Sequence, residues 1–269
     1  MSEADIIMLF TGLAAGALAG VIAGVLAGLA GIGGGLIYVP VFYACLPHDS
    51  AGVSLSVFIS LLAIVLTGGF SAKAHNRLGH INHVTAVHLL PGLVVGASIG
   101  LMLTLHLPEA LVLAGLAVLD AWIAWDYGRP MGAVRGRASL WLASFPIGYV
   151  SGSLGIGGGT MLVPLLRRSL PLRMAVGTSV LCGTLMAAAA LLVNGLLIPA
   201  WRPLLLGQLW FALGVLAAVL LVLPRATQWS ARLHASLGEE ELRLLLKGVF
   251  AVIAAMMALS AIYEMLHQA

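Results

Sequence analysis

Two glycine-rich phrases hold the residues best suited to bind a ligand through the main chain. Residues 31–40 read GIGGGLIYVP and residues 155–164 read GIGGGTMLVP, identical at seven of ten positions. Glycine reaches backbone conformations closed to other residues and lets a ligand approach the backbone closely. A proline at the end of each phrase removes one N–H and discourages helix continuation. Inside an apolar chain such a phrase predicts unwound backbone. Its freed N–H groups, at the start of a short helix, carry partial positive charge and suit an anion. The candidate binding residues are Gly31, Gly33, Gly34, Gly35 and Pro40 in the first phrase, and Gly155, Gly157, Gly158, Gly159 and Pro164 in the second.

Hydroxyls follow each phrase. GVSLS (52–56) and VGTSV (176–180) supply Ser54, Ser56, Thr178 and Ser179 as candidate donors to a bound oxyanion. The alternative is that each bonds back to a carbonyl of its own helix. Asn194 is a weaker candidate of the same kind. Among ionisable groups, His88 and Asp120 lie in apolar runs and are candidates for proton or substrate coupling, because an intramembrane charge is costly unless it serves a function. An interfacial role competes for both: Asp120 stands beside Trp122 and Trp125, and His88 is close to a polar loop. That loop holds Lys73, His75, Arg77, His80 and His83 without cysteine or carboxylate partners, and so reads as a membrane anchor rather than a metal site. No nucleotide-binding, metalloprotease or serine-hydrolase motif occurs, and no catalytic role or cofactor is expected.

The elements that carry these residues must be membrane helices. Of 269 residues, 61% are hydrophobic and 9% charged, where a soluble domain carries roughly 25%; mean hydropathy is +1.08. Apolar runs cover 6–30, 34–46, 51–70, 84–105, 108–125, 138–154, 159–166, 174–193, 203–223 and 247–266, and several are long enough to cross a bilayer. Helices are expected, because open strands leave backbone groups unsatisfied in lipid and the alternation of a barrel is absent. The net charge of +3 is spread over short loops, so it reads as a topology marker and not as a nucleic-acid surface. The acidic start MSEAD argues against a cleaved secretion signal. Cys45 and Cys182 fall in or beside apolar runs, which argues against a disulfide or cysteine–metal framework.

The phrases lie 124 residues apart, from 31 to 155, and SAGVSL (50–55) faces AVGTSV (175–180), so the chain reads as two copies of one unit. If every opening segment crossed once, the thirteen Lys and Arg would divide six against seven between the two sides. If each glycine phrase turns the chain back, twelve fall on one side and only Arg202 on the other. The positive-inside rule favours the second arrangement, which makes the repeats inverted. The expected fold is an all-α integral membrane protein with about eight transmembrane segments, the first helix of each repeat broken at its GIGGG turn. The first repeat covers residues 1–125, a linker 126–139 and the second repeat 140–269. The basic segments 71–83, 126–139, 167–173 and 224–246 are expected to be cytoplasmic. After each phrase a half-helix plus extended chain is expected. Gly12, Gly16, Gly20, Gly24 and Gly28 recur every four residues and form a small-residue face for a neighbouring helix.

The duplicated G-x-GGG-x-x-x-VP phrase, each copy followed by a G-[VT]-S-[LV] helix, resembles the TauE/SafE family of sulfite exporters, also called the 4-toluene sulfonate uptake permease family. The resemblance runs over essentially the whole chain, although the stretch after residue 195 departs from the first unit. It implies a secondary transporter that moves sulfite, sulfoacetate or another sulfonate across the bacterial inner membrane, by export and with proton coupling. Carried over by residue, it points to the ten phrase positions named above together with Ser54, Thr178 and Ser179. The implied partners are the sulfur oxyanion and the lipid bilayer, with a second copy of the chain as a further candidate. The rival expectations are a passive anion channel of the same fold and a non-transporting membrane scaffold.

Overall fold

A computed structural model describes residues 2–30, 34–46, 52–126, 137–234 and 239–267. Gly31 and Gly33, and the linker core at 127–136, lie outside the described residues. The described chain is helical throughout: α1 (Glu3–Ala30), α2 (Gly35–Cys45), α3 (Gly52–Arg77), α4 (His83–Thr104), α5 (Glu109–Asp126), α6 (Arg137–Leu154), α7 (Gly159–Leu166), α8 (Leu172–Leu197), α9 (Trp201–Gly207), α10 (Leu209–His234) and α11 (Glu239–His267). Six of these, α1, α3, α4, α8, α10 and α11, contain stretches long and apolar enough to cross a membrane. α5 and α6 have 18 residues each, roughly 27 Å of helix against a hydrocarbon core of about 30 Å.

The apolar runs and the helices coincide except at the polar ends and at run 203–223, which is divided between α9 and α10. Most of the segment 224–246 is helical: α10 continues through Pro224 to His234, and α11 starts at Glu239. α3 likewise runs to Arg77, into the segment read as a loop. Hydropathy marks where lipid ends, but backbone hydrogen bonding carries a helix on into water. Neighbouring helices tolerate the single bond lost at a proline.

The helices after the phrases are short, as expected: α2 has 11 residues and α7 has 8. Extended backbone follows α2 at Leu46 (ψ 148°), whereas α7 runs into a hydrogen-bonded turn at 167–170 before the extended Pro171 (ψ 149°) opens α8. The prolines behave otherwise. Pro40 and Pro164 do not stop the helix; they lie inside α2 and α7, each five residues after the first helical glycine. A proline there forfeits one amide–carbonyl bond, while its fixed φ stays compatible with helix. The unwinding belongs to the glycines.

Five pairings build the bundle: α1 packs along α10, α4 along α6, α5 along α11, and α8 along both α4 and α3. α3 is the most enclosed of the six long helices. The glycine face of α1 is what admits α10. A Cβ on Gly12 would strike the Phe211 carbonyl oxygen, and one on Gly16 would stand 2.8 Å from Val215 Cα. On Gly24 it would stand 2.7 Å from the Ala226 methyl. Backbone cannot retreat as a flexible side chain can. Gly16→Leu is therefore expected to abolish monodisperse, folded protein after detergent extraction. Gly195→Ala in α8, where a Cβ meets nothing within 4 Å, is expected to raise thermal stability by about 0.5–1 kcal/mol. Thermal unfolding in detergent checks both.

Trp201, at the start of the short α9, is fully buried against Phe58 with ring centroids 4.8 Å apart. α9 occupies the stretch where the second unit departs from the first in sequence.

Candidate functional site

The second phrase is built by three left-handed glycines. α6 ends with Gly155 at φ +69°, and the Ile156 amide donates to the Ser151 carbonyl at 3.0 Å. This is a Schellman closure, which needs a residue free to adopt positive φ. Gly157 (φ +69°) and Gly158 (φ +72°) then lead, through left-handed backbone, into α7. The Gly158 carbonyl accepts from the amides of Met161 and Leu162, so α7 starts there without a side-chain cap. The amides of Gly157, Gly158, Gly159 and Thr160 donate to no described residue. These are the donors that a helix start leaves unmatched.

The first phrase meets the second. A Cβ on Gly35, the first residue of α2, would strike the Ile156 carbonyl oxygen. The starts of the two half-helices thus abut across the middle of the bundle. Gly155 is clamped from the other side: its carbonyl accepts from the Ser60 hydroxyl at 2.7 Å, and a Cβ there would stand 2.8 Å from Val39 Cγ2.

A cleft of about 480 Å³ runs to this junction. Gly34, Gly35, Ile156, Gly157 and Gly159 form its deep part, while Phe70, Pro224 and Gln228 form an exposed rim. Tyr38, Thr67, Ser71, Ser179, Thr184 and Thr227 supply hydroxyls along the wall. No Asp, Glu, Lys or Arg is among its described lining residues. The cleft can therefore offer backbone N–H groups and hydroxyls, in a setting that presents a negatively charged guest with no opposing carboxylate.

Of the residues expected at a site, the structure brings together Gly34, Gly35, Gly157, Gly159 and Ser179. Gly155 and Gly158 stand directly behind them. Pro40 faces elsewhere, into an apolar pocket shared with Leu18, Ile22 and Val252. Pro164 is half-buried in α7 and outside the cleft lining. Ser54 and Thr178 are also outside it. The Ser54 hydroxyl donates to the Thr104 carbonyl at 3.0 Å, and Thr178 Oγ1 accepts from the Asn82 amide at 2.9 Å. Each ties a helix start to the turn of a neighbouring hairpin, where an unmatched backbone group is the nearest partner for a buried hydroxyl. Even within the cleft, Ser179 donates to the Gly159 carbonyl (3.4 Å) and Thr184 to the Val180 carbonyl (2.7 Å). Asn194 donates to the Ser98 and Ala190 carbonyls and is not part of the cleft.

His88 is exposed on α4, its Nδ1 2.7 Å from the Val84 carbonyl. Asp120 is fully buried in α5, and neither carboxylate oxygen has a hydrogen-bond partner among the described residues. Among the described residues no group of three or more His, Cys, Asp or Glu is arranged to hold a metal.

Tyr38, Thr67, Ser71 and Thr184 were not among the residues expected at the site. Thr67 and Ser71 stand four apart on an apolar helix, which is a readable signal. Tyr38 stands four residues after Gly34, and the first turn of α2 lays its ring alongside that glycine.

A family model described as "Sulfite exporter TauE/SafE" matches residues 16–257. A "Probable membrane transporter protein" of Haemophilus influenzae is 30% identical over 184 residues, 61% of this chain and 66% of that protein's length. No solved structure matches. With nine-tenths of its length inside that family model and an all-helical bundle of apolar spans, the chain belongs to the sulfite exporter TauE/SafE family of multi-pass membrane proteins.

Proposed function

We propose that this protein is a secondary transporter that carries a small sulfur-containing anion, sulfite or a sulfonate, across the bacterial inner membrane by alternating access. The observation that carries this reading is the junction itself. Two half-helix starts, from sequence-related phrases far apart in the chain, meet at the floor of one uncharged, hydroxyl-lined cleft. Discontinuous helices that point their N-termini at an anion near mid-membrane are a recurrent transporter design.

The pairing of helices supports two inverted repeats, 1–125 and 140–269. The opening helix of each unit packs on a helix of the other, α1 on α10 and α6 on α4, while α3 pairs with α8 and α5 with α11. Exchange of the two units relates α1–α10 to α6–α4 and maps α3–α8 and α5–α11 onto themselves, while the α4–α8 packing has a smaller counterpart in α3–α10. Counting α5 and α6, eight helices cross. The cleft rim lies next to the basic segments 71–83 and 224–246, so positive-inside orientation makes this an inward-facing state. Proton coupling is assigned to Asp120 rather than to His88, because a buried carboxylate without a partner has no structural use in lipid. Export is the direction we assign.

Flux into proteoliposomes tests the reading. Purified protein is offered sulfite, sulfoacetate, taurine, sulfate and chloride, with and without a pH gradient. Saturable movement of one sulfur anion, accelerated at least about threefold by the gradient, is expected. Unsaturable flux of chloride as fast as sulfite would make the protein a channel. No flux from inserted protein would leave a scaffold.

A further inference from the structure

The two phrases are not chemically equal. At the register that aligns Gly31 with Gly155, Ala27 matches Ser151 and Leu36 matches Thr160. The second copy alone therefore carries hydroxyls on both sides of its glycines. Ser151 is fully buried and Thr160 is 6% exposed. Neither hydroxyl has a hydrogen-bond partner among the described residues. Most buried hydroxyls around them are occupied: Ser60, Ser179 and Thr184 each donate to a carbonyl. Ser98 on α4 is the other buried hydroxyl without a partner among the described residues.

Position adds a second observation. Ser151 Oγ lies 3.6 Å from where a Cβ on Gly158 would stand, so it is directed at the start of α7. Its own carbonyl already closes α6 through Ile156, which leaves only the hydroxyl uncommitted. Thr160 is the second residue of α7, in the first turn whose amides are undonated. An unmatched hydroxyl in a dry interior is costly. An arrangement that leaves two of them beside a helix N-terminus is explained if a ligand's oxygen completes it.

We infer that Ser151 and Thr160 are the specificity-determining hydroxyls that receive the charged oxygens of the anion at the start of α7, so that the second phrase holds the oxyanion head. This deepens the transport reading and rests on its choice of an anionic substrate. The hydroxyls donate to the oxyanion together with the amides of Gly158, Gly159 and Thr160. Gly157 and Gly159 line the cleft, and each hydroxyl belongs to a residue within six positions of them in the chain.

The test is sulfite binding to the full-length protein in detergent, read as the anion-dependent rise in unfolding temperature across a titration. A hydroxyl donating to a charged group contributes about tenfold in affinity. Ser151→Ala and Thr160→Val are each expected to weaken sulfite about tenfold, and the double variant about a hundredfold. The unfolding temperature without sulfite should stay within a few degrees of wild type, since neither hydroxyl loses a protein bond. Ser153→Ala, whose hydroxyl bonds the Val150 carbonyl, serves as the control with wild-type affinity. A double variant that binds sulfite like wild type would overturn the inference. If binding depends on both hydroxyls while wild-type protein carries no sulfite across a bilayer, the subsite stands and the transport reading falls. No sulfite-dependent shift in wild type removes both.

Discussion

Replacing Gly158 with leucine is expected to drop sulfur-anion flux at least about a hundredfold, to background, with the protein still folded and inserted. Two effects combine. The backbone there is at φ +72°, a conformation that costs an L-residue about 1–2 kcal/mol. The new side chain also grows into the place where the start of α7 receives its ligand. Folding survives because the nearest obstacles are the ends of flexible chains, Leu162 Cδ1 and Met186 Cε, each 3.3 Å from the added Cβ. Gly35→Leu offers no such distinction, since its Cβ meets backbone at Ile156. Size-exclusion profile and surface labelling of Gly158→Leu establish insertion; counterflow measures the loss. Wild-type flux in this variant would remove the second phrase from the site.

The second large effect is expected at Asp120. Asp120→Asn should abolish the acceleration by a pH gradient while anion exchange without a gradient stays within about threefold of wild type. Asparagine keeps the shape and polarity of the side chain but cannot take up and release a proton. The residue lies on the α5–α11 pair, outside the cleft lining, so its loss should separate coupling from binding. Flux of the variant at several gradient sizes checks this. A gradient response equal to wild type would assign coupling elsewhere.

Much of this architecture is legible in residue order because bilayer thickness and helix geometry leave few options. Apolar runs of 20 residues become helices long enough to span, and the glycines of the second phrase become a break between two helices. The α1 glycines become a helix contact because glycine every fourth residue can only bring a backbone closer. What periodicity misses has particular causes. Segment 224–246 reads as a break because hydropathy falls there, yet the helices on both sides extend into it. Ser54 and Thr178 share a pattern with Ser179, but the pattern cannot say which free backbone group lies across the interface. Ser54 finds the end of α4, Thr178 the α3–α4 turn, and Ser179 the cleft. The burial of Asp120 is not legible beside Trp122 and Trp125: both tryptophans are exposed, while the aspartate is on the enclosed side of the same helix. The proline that ends each phrase reads as a terminator, but its position early in a short helix lets the helix form around it.

The asymmetry between the two copies is a different kind of signal. Identical glycines draw attention to what the phrases share, and the chemistry resides in what they do not share. Aligning the units residue by residue isolates Ser151 and Thr160. Only the structure shows that their hydroxyls have no protein partner.

The most direct measurement is the position of a bound anion that can be seen without ambiguity. Selenite, the heavier congener of sulfite, would be added to crystals of the wild-type protein and located by its anomalous signal. One peak is expected at the junction of the two phrases, within hydrogen-bond reach of the Gly158–Thr160 amides and the Ser151 hydroxyl. A peak on the outer helices, or none at a concentration that saturates transport, would contradict the claim that the paired glycine phrases form the anion site.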